Sequence, residues 1–462
     1  MKLVRLMLLA SASVSSVAAA DTLNTSSSPT VVAGEATYSV NEAGTVRTIT
    51  QTTDRVFLDW VDLSVAENET LQFIQPDALS IALNRVTGTT QTIIDGTIEA
   101  NGRVWILNPN GIFISPTGQV TASGFLASTG SISSTDFMAG GDQFSIGGVS
   151  SASVENAGSI ATELGYTILH GASITNEGQI SATLGAVLLA SGNDLSISFD
   201  EGNLISYAVS NESTLAASFQ GIKNTGTITA DGGLIALSMA SALDAIHGVI
   251  NAEGLLQANS VEERNGTIIL DAGDHGDLVI TGTVTVAGLE ADEVGGSIDA
   301  SGTLITVTDT AEVIADGGAG GGSISIVSTA TQGSNSSTTI EENSFVSISE
   351  SEAFLVEETR IQLANGALAD IAIVDGSVIS ASATVSGSGG TVTIEAPGEE
   401  ELATFVAGEI RANGVGTDSV GGIIDLSGFY LEIEGSELSV SGATAGTVVL
   451  TAASIDLVDQ LS

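Results

Sequence analysis

The residues that most often carry out chemistry in proteins are few or widely scattered in this sequence. Its three histidines, His170, His247 and His275, form neither a His-x-x-His nor a His-Glu-x-x-His pattern, so structural or surface roles are favoured over metal ligation. The chain has no Cys, which excludes a thiol nucleophile and a thiolate metal site. Ser is abundant, but no Gly-x-Ser-x-Gly segment joins a strand to a helix. We therefore predict no enzymatic activity, no metal site and no cofactor.

Two further patterns leave alternatives open. The glycine-rich run at residues 316–322 lacks the Lys of a phosphate-binding loop, so we interpret it as a tight corner. The 55 Asp and Glu residues are numerous enough to supply the two carboxylates of a glycoside hydrolase, and a polysaccharide-degrading enzyme is the enzymatic alternative. A calcium-binding surface protein is another alternative, although no glycine-aspartate nonapeptide occurs in tandem.

The charge of the chain argues against polyanionic partners. Its formal net charge is −45, with only 10 Lys and Arg residues among 462. Because nucleic-acid binding requires several phosphates to be neutralised by basic side chains, we predict no nucleic-acid partner. Acidic side chains instead keep a long β surface soluble and discourage association between sheet edges.

The first residues predict export. Residues 1–5 are a short basic start that contains Lys2 and Arg5, residues 6–12 are largely apolar, and residues 18–20 are a small-residue cleavage site. This pattern is typical of a secretory signal peptide over residues 1–20, with Asp21 as the mature N-terminus. No later stretch is long and apolar enough to predict a membrane-spanning helix.

The elements that position the remaining motifs are predicted to be short strands. Between Asn84 and Gly124, four Gly-, Asn- or Pro-containing turn signals separate five apolar runs, at residues 92–94, 97–100, 103–107, 112–115 and 119–122. Gly and Asn tolerate positive φ and Pro presets its own φ, so each turn signal marks a bend of the chain. The runs are too short for helices and are rich in β-branched residues, which favour strands.

A looser repeat follows this segment. The pattern Asn-x-Gly-x-Ile begins at Asn156, Asn176 and Asn224, and apolar positions continue at Leu256 and Val284, 28 residues apart. Strand-only units of this period bury their apolar faces by stacking, which predicts a parallel β-helix. At about 4.8 Å per coil, the rod would be on the order of 80–100 Å long. We expect the three Asn side chains to stack at one corner, each bonded to the next coil.

Three sections depart from the repeat. Residues 21–53 are polar and weakly patterned, and we expect them to cap the first coil. Residues 57–76 read as two strands with Trp60 in the core. Residues 193–220 are predicted to form a β-hairpin outside the β-helix, with its turn at residues 200–202. Over residues 334–358 the sequence is polar and acidic, and the repeat is no longer recognisable.

One ordered set of motifs resembles a known family. The set comprises Trp60, Gln75-Pro76, Asn84-Arg85-Val86-Thr87-Gly88, Ala100-Asn101-Gly102-Arg103-Val104 and Asn108-Pro109-Asn110-Gly111-Ile112. In this order and spacing it is similar to the N-terminal secretion domain of the filamentous haemagglutinin family, the exported partner of bacterial two-partner secretion systems. The resemblance implies that the β-helix is right-handed.

The resemblance also implies domains, partners and a location. A secretion domain would span residues 21–300 and a repetitive β-helical stem residues 301–462. An outer-membrane transporter would recognise the chain in the periplasm of a Gram-negative bacterium, and the secreted or surface-exposed exoprotein would be an adhesin with a receptor on a host or neighbouring cell. The chain is short for this family, so it is either a short exoprotein or a truncated one.

The residues that carry the resemblance have two possible roles. Asn84 and Arg85, together with Asn108, Pro109, Asn110, Gly111 and Ile112, are determinants of transporter recognition or of folding in the family. The same Asn-Pro-Asn-Gly residues also make a good β-turn that would nucleate the helix. The sequence does not distinguish between a role in transporter recognition and a role in folding.

Overall fold

The computed structural model describes residues 28–139, 141–162, 164–199, 205–210, 221–240, 249–261, 264–330, 361, 363, 369–397 and 402–458. The predicted signal peptide, the hairpin turn at residues 200–202, His247 and residues 334–358 lie outside this part of the chain.

Three long sheets contain nearly all the described strands. Sheet A consists of β1 (Thr30–Ala33), β4 (Arg55–Trp60), β6 (Ile81–Val86), β9 (Arg103–Leu107), β12 (Gly124–Ser128), β16 (Tyr166–Gly171), β19 (Ala186–Ser191), β24 (Leu234–Met239), β27 (Thr267–Asp271), β30 (Ser297–Gly302), β33 (Ser323–Ser328), β36 (Thr391–Glu395), β39 (Ile423–Ser427) and β42 (Thr447–Thr451). Sheet B consists of β2 (Ala36–Val40), β3 (Val46–Gln51), β5 (Thr70–Ile74), β8 (Thr97–Ala100), β11 (Gln119–Thr121), β15 (Ser159–Ala161), β18 (Gln179–Ser181), β23 (Thr227–Thr229), β26 (Leu255–Gln257), β29 (Thr283–Thr285), β32 (Glu312–Ile314), β35 (Val378–Ser380), β38 (Glu409–Arg411) and β41 (Leu438–Ser439). Sheet C consists of β7 (Thr92–Ile94), β10 (Ile112–Ile114), β14 (Ser153–Asn156), β17 (Ser173–Asn176), β22 (Gly221–Asn224), β25 (Val249–Ala252), β28 (Asp277–Ile280), β31 (Leu304–Val307), β34 (Ile371–Ile373), β37 (Ala403–Val406), β40 (Tyr430–Glu434) and β43 (Ser454–Val458).

Each complete coil contributes one strand to each sheet, in the order A, C, B, and successive coils pair in parallel. The apolar positions expected to be equivalent are register partners: Ile228 pairs with Leu256, and Leu256 pairs with Val284. The predicted parallel β-helix is therefore confirmed. It forms because short β-branched runs alternate with turns, and each run can bury its apolar face only against the coils above and below.

The core is a column of aliphatic side chains inside the three sheets. Ile160, Ile180 and Ile228, from three successive coils, are at most 1% exposed, and the column continues along the helix. Trp60 is fully buried, as predicted. Burial of each large aliphatic side chain stabilises the fold by about 1.5–3 kcal/mol, so stacking coils supplies the main favourable free energy.

The N-terminal end carries the predicted cap. β1 pairs with β4 and β2 pairs with β3, in both cases antiparallel, whereas the coils that follow are parallel. These two strands cover the first edges of sheets A and B, which would otherwise offer free backbone groups to other chains.

The predicted hairpin is present and belongs to a larger element. β20 (Asp194–Phe199) and β21 (Ile205–Ser210) pair antiparallel, and β13 (Gln143–Ile146) adds a third strand, giving sheet E in the order β13-β20-β21. The short helix α1 (Ser134–Met138) precedes β13. Within the described residues no helix is long and apolar enough to cross a membrane.

The predicted rod length is too large. Sheet A has 14 strands, and at about 4.8 Å between neighbouring strands it spans roughly 60 Å rather than 80–100 Å. Residues of α1 and sheet E lie outside the coils and add nothing to the length. The strand ladders continue across residue 300, where β29 pairs with β32 and β30 with β33. The boundary near residue 300 stays a prediction, and it does not coincide with a break in the helix.

Candidate functional site

The segment Asn108–Ile112 forms the corner between β9 in sheet A and β10 in sheet C. The backbone N–H of Gly111 donates to the carbonyl oxygen of Asn108 at 3.1 Å, which closes a four-residue turn with Pro109 in its second position. Gly111 has φ +100°, a conformation that disfavours other residues. Ile112 is fully buried and pairs with Thr92 on one side and Val154 on the other. The turn therefore sets the entry of the chain into sheet C.

The side chain of Asn108 is fully buried and ties this corner to the preceding coil. Its Nδ2 donates to the carbonyl oxygen of Thr90 at 3.0 Å and to Oγ1 of Thr92 at 2.9 Å. Its Oδ1 accepts from the backbone N–H of Asn110 at 2.9 Å. Both ends of the amide are thus bonded within the protein.

Asn110 also turns towards the helix. Its Nδ2 donates to the carbonyl oxygen of Gly88 at 3.0 Å and to Oδ1 of Asn108 at 2.9 Å. Pro109 is exposed, and its carbonyl oxygen accepts from Oγ of Ser150 at 2.6 Å. The Pro109 ring is therefore the most accessible part of this turn.

Asn84 lies in the middle of β6 rather than in a turn. It is fully buried, and its Oδ1 accepts from Nε1 of Trp60 at 2.9 Å. Its Nδ2 donates to the carbonyl oxygens of Ala82 at 3.0 Å and Trp105 at 3.2 Å. Asn84 thus satisfies the indole N–H of a core residue that belongs to the same set of motifs.

Arg85 lies on the outer face of sheet A. Its guanidinium forms a two-point ion pair with Asp59, with both N–O distances 2.8 Å, and lies 4.8 Å from the ring centroid of Phe57. The hydrogen bond to Asp59 raises the pKa of Arg85. Arg85 is the register partner of Leu107 on β9, so the two motif segments lie side by side in sheet A.

Asn156, Asn176 and Asn224 form a continuous ladder at the corner between sheets C and B. Nδ2 of Asn156 donates to Oδ1 of Asn176 at 2.7 Å, and Nδ2 of Asn176 donates to Oδ1 of Asn224 at 2.7 Å. All three side chains are at most 1% exposed. The register partners at the two ends are Ile114 and Ala252, which cannot extend the ladder. The ladder is separate from the Asn108–Ile112 turn.

Sequence reasoning missed a second ladder at the corner between sheets B and A. There a side-chain oxygen accepts the backbone N–H of the next coil, from Asn259 to Asp231 at 2.9 Å and from Ser441 to Asn413 at 2.7 Å. Three further bonds of the same kind run from Ala287 to Asn259, Ser382 to Asp316 and Asn413 to Ser382. This ladder was not recognised in the sequence because its equivalent position is occupied by Asp in some coils and by Asn or Ser in others.

An aromatic cluster under sheet E was also missed. It lies between sheet E and the outer face of sheet A and contains Phe57, Trp105, Phe137, Phe144, Tyr166 and Phe199. Nε1 of Trp105 donates to the hydroxyl of Tyr166 at 2.8 Å, and burial raises the pKa of Tyr166 to about 12. These residues are far apart in sequence, and the one hint of them was that most of the few aromatic residues of the chain lie within residues 1–220.

Two arginines brace the same cluster. The guanidinium of Arg55 lies 4.9 Å from the Phe144 ring, and that of Arg103 lies 5.0 Å from the Phe199 ring. Arg55 also donates to the carbonyl oxygen of Phe137 at 2.8 Å. Burial lowers the pKa of Arg55. Sheet E is thus held to the helix by cation–π contacts as well as by apolar packing.

His170 is the most deeply buried of the described histidines, and both nitrogens of its ring are within hydrogen-bonding distance of other residues. His170 is fully buried, its Nδ1 lies 2.9 Å from Oγ of Ser128, and its Nε2 lies 3.2 Å from the carbonyl oxygen of Gly192. Burial lowers its pKa to about 4, so it is neutral near pH 7. In the described part of the chain, no group of three or more His, Asp or Glu residues is arranged to hold a metal ion.

Comparison with known proteins identifies one family and two similar proteins. The sequence model of a family described as "TPS secretion domain", where TPS stands for two-partner secretion, matches residues 17–286. Two proteins named "Heme/hemopexin-binding protein" from Haemophilus influenzae are similar, one 40% identical over 99 residues and the other 31% identical over 248 residues. These matches cover 21% and 49% of this chain but only 11% and 26% of those proteins.

A solved structure has the same fold. The crystal structure of the HMW1 secretion domain from Haemophilus influenzae superimposes with a TM-score of 0.64 and 24% identity. The match covers 94% of this chain and 100% of that chain. Such a likeness establishes the fold.

Proposed function

This chain belongs to the TPS secretion domain family, and we propose from this premise that its N-terminal coils drive export by folding beyond the outer membrane. Members of the family are exoproteins that cross the periplasm and are exported across the outer membrane, to the cell surface or the medium. The family is thus defined by a route of export rather than by a reaction.

Membership also implies a partner, an outer-membrane transporter of the two-partner type. We propose that its periplasmic domains bind the chain while it is extended, because an extended segment can add as a strand to an exposed sheet edge. Folding outside would then bury apolar surface and oppose backsliding of the chain, which suits a compartment without ATP.

One observation supports a folding role for the family motif: its amides are directed into the protein. Asn84 and Asn108 are fully buried, and each is bonded at both ends of its side chain. A transporter could contact these side chains only before the chain folds. The folded coils, in contrast, always depend on the hydrogen bonds of these side chains. We therefore propose that Asn84 and the Asn108–Ile112 turn act chiefly by closing the first coils.

The test compares Asn108→Ala with Pro116→Ala, a control at an exposed residue of the next turn that lies outside the motif. Each variant and the unmodified chain would be expressed with and without the cognate transporter, and the protein in the medium and periplasm would be measured. We expect transporter-dependent release of the unmodified chain and the control, and reduced release of Asn108→Ala with a detectable periplasmic pool.

Refolding of the purified proteins separates the two roles of the motif. Slower refolding of Asn108→Ala, together with reduced export, supports the folding role. Reduced export with unchanged refolding would assign the motif to transporter recognition instead. Release of the unmodified chain without any transporter would overturn the export proposal, and assays of glycan turnover would then test the polysaccharide-degrading alternative.

We further propose that residues 21–300 form the secretion domain and residues 301–462 the stem. The family match ends at residue 286. Export of residues 1–300 alone at the rate of the full chain would support this division, and retention of that fragment in the periplasm would contradict it.

The whole exoprotein is proposed to be a surface adhesin with a host or neighbouring-cell receptor, on the basis of the family. The second candidate is a protein that binds haem or a haem carrier, because the similar curated proteins are named for that binding. A shift in the haemin absorption band on mixing with the purified chain would favour the second candidate. Unchanged absorption, with adhesion of cells that export the chain, would favour the first.

A further inference from the structure

The side chain of His170 connects three successive coils at the point where sheet E leaves the helix. His170 lies near the end of β16, Ser128 ends β12 in the preceding coil, and Gly192 follows β19 in the next coil. Gly192 is also where sheet E touches the helix. A Cβ atom there would lie 2.4 Å from Cγ1 of Val209 on β21. A single imidazole therefore joins the helix to the base of the β20–β21 hairpin.

The hydrogen bonds around His170 fit one neutral tautomer. The carbonyl oxygen of Gly192 can only accept, so Nε2 carries the proton and donates to it. Nδ1 then accepts from the hydroxyl of Ser128, whose oxygen in turn accepts from the backbone N–H of Gly130 at 2.9 Å. Each donor and each acceptor in this series of hydrogen bonds has one partner. A second proton on Nδ1 would remove the acceptor of the Ser128 hydroxyl hydrogen, which would have to rotate away, and would place a charge in a fully buried site.

Two buried oxygens next to these hydrogen bonds already favour separation of the hairpin from the β-helix. Oγ1 of Thr129 and Oδ1 of Asn193 have no hydrogen-bond partner among the described residues. They are the sequence neighbours of Ser128 and Gly192. Water reaches such groups when the hairpin lifts, so opening recovers part of what their burial costs.

We propose that His170 is an acid-sensitive latch, and that its protonation releases the β20–β21 hairpin from the helix while the stacked coils stay intact. The hairpin is the weak point because the helix on either side of it is held by full parallel ladders. The Arg55 and Arg103 contacts to the aromatic cluster keep their charge in acid, so they do not supply this response.

The surroundings of His170 determine whether acid stabilises or destabilises the closed form. Burial lowers its pKa from 6.5 to about 4, and the facing charged group is Asp194 on β20, whose carboxylate acts in the opposite direction. Ser128 on β12 and Gly192 after β19 contribute no charge. The open form therefore binds the proton more tightly than the closed form. The closed form loses stability as the pH falls from about 6.5 to about 4, by up to roughly two orders of magnitude in its equilibrium with the open form.

The test is amide hydrogen exchange followed by mass spectrometry at pH 7, 5.5 and 4, corrected for the intrinsic pH dependence of exchange. In the unmodified chain we expect exchange in peptides from residues 141–149 and 193–210 to rise at least tenfold relative to peptides from residues 221–240. His170→Gln should remove most of this rise. His275→Gln, at a partly exposed histidine, should keep it.

Equal acid dependence in His170→Gln and the unmodified chain would overturn the proposal. If His170→Gln fails to fold, the imidazole resonances of the unmodified chain give the answer by NMR. A His170 midpoint below about pH 5 that coincides with hairpin exchange supports the latch. Titration near pH 6.5, or exchange that does not change over the same range, contradicts it.

Discussion

At the scale of single residues, buried amides connect the coils. Asn84, Asn108 and the ladder of Asn156, Asn176 and Asn224 each use the donor and the acceptor of one side chain. A neutral amide can accept from one coil and donate to the next with no net charge, whereas a carboxylate could only accept. An acidic protein therefore uses neutral Asn where its coils must be bonded internally.

Leu164 and Leu184 are the non-glycine residues with positive φ among the described positions, at 57° and 56°. In the next coil Gly232 has φ 67° at the equivalent corner, where each residue's N–H bonds to the coil that follows. Because the left-handed conformation is strained for Leu, two coils store strain that the third avoids.

We predict that Leu164→Gly raises the free energy of unfolding by about 1 kcal/mol, since the strain is relieved and the side chain is already 63% exposed. Denaturant unfolding measures the change. The control is Leu79→Gly, because Leu79 is 57% exposed but does not have positive φ, and it should be destabilising. A loss of stability in both variants would show that no strain is stored at Leu164.

At the scale of elements, glycines at the corner before sheet B set the spacing of the coils. A Cβ atom at Gly178 would lie 2.1 Å from the carbonyl oxygen of Gly158, and one at Gly226 would lie 2.1 Å from that of Gly178. The same contact recurs at Gly254 and Gly282. The Asn-x-Gly-x-Ile pattern therefore has two structural reasons: Asn bonds along the rod, and Gly lets the backbones of adjacent coils touch.

We predict that Gly178→Ala lowers the free energy of unfolding by about 3 kcal/mol, because the new methyl group meets backbone atoms that cannot rotate away. The matched control is Gly320→Ala, whose nearest contact would be at 3.4 Å and which should change stability by less than about 1 kcal/mol. Chemical denaturation of both variants measures this difference. Equal effects would mean that the coils can separate locally at no great cost.

At the scale of the whole molecule, the two ends of the rod differ. The N-terminal coils contain both tryptophans and the aromatic cluster, and a cap of antiparallel strands covers their edge. The later coils have a mainly aliphatic core built from Ile, Val, Leu and Ala. The larger apolar side chains therefore lie in the coils that fold first if the N-terminus emerges first, which fits a role of these coils in starting the helix.

Threading in an unfolded state predicts that a covalent loop stops export. Ser159 and Gln179 are exposed register partners in β15 and β18, at a parallel-strand spacing of about 4.8 Å that suits a disulfide. The double variant Ser159→Cys/Gln179→Cys should accumulate in the periplasm under oxidising conditions and be released after reduction. Each single variant is a control, since the chain has no other Cys. Free passage of the oxidised double variant would contradict unfolded threading.

Local features of this protein were determined by the sequence alone. The strands Thr92–Ile94, Thr97–Ala100 and Arg103–Leu107 have the predicted bounds, because Gly, Asn and Pro turns act over two to four residues and need no distant partner. The stacking of Ile228, Leu256 and Val284 was also predictable, since one apolar position per coil must face the core.

Only the tertiary structure decided which distant residues meet. β13 joins the β20–β21 hairpin across about 50 residues, and Asn84 bonds to Trp60 from within β6. These contacts depend on how many residues each coil takes before it returns to the same sheet. The insertions make that number irregular, from 20 residues between Ile160 and Ile180 to 48 between Ile180 and Ile228. The period of the sequence repeat therefore cannot predict which side chains of neighbouring coils meet. The course of the chain through each coil must be known first.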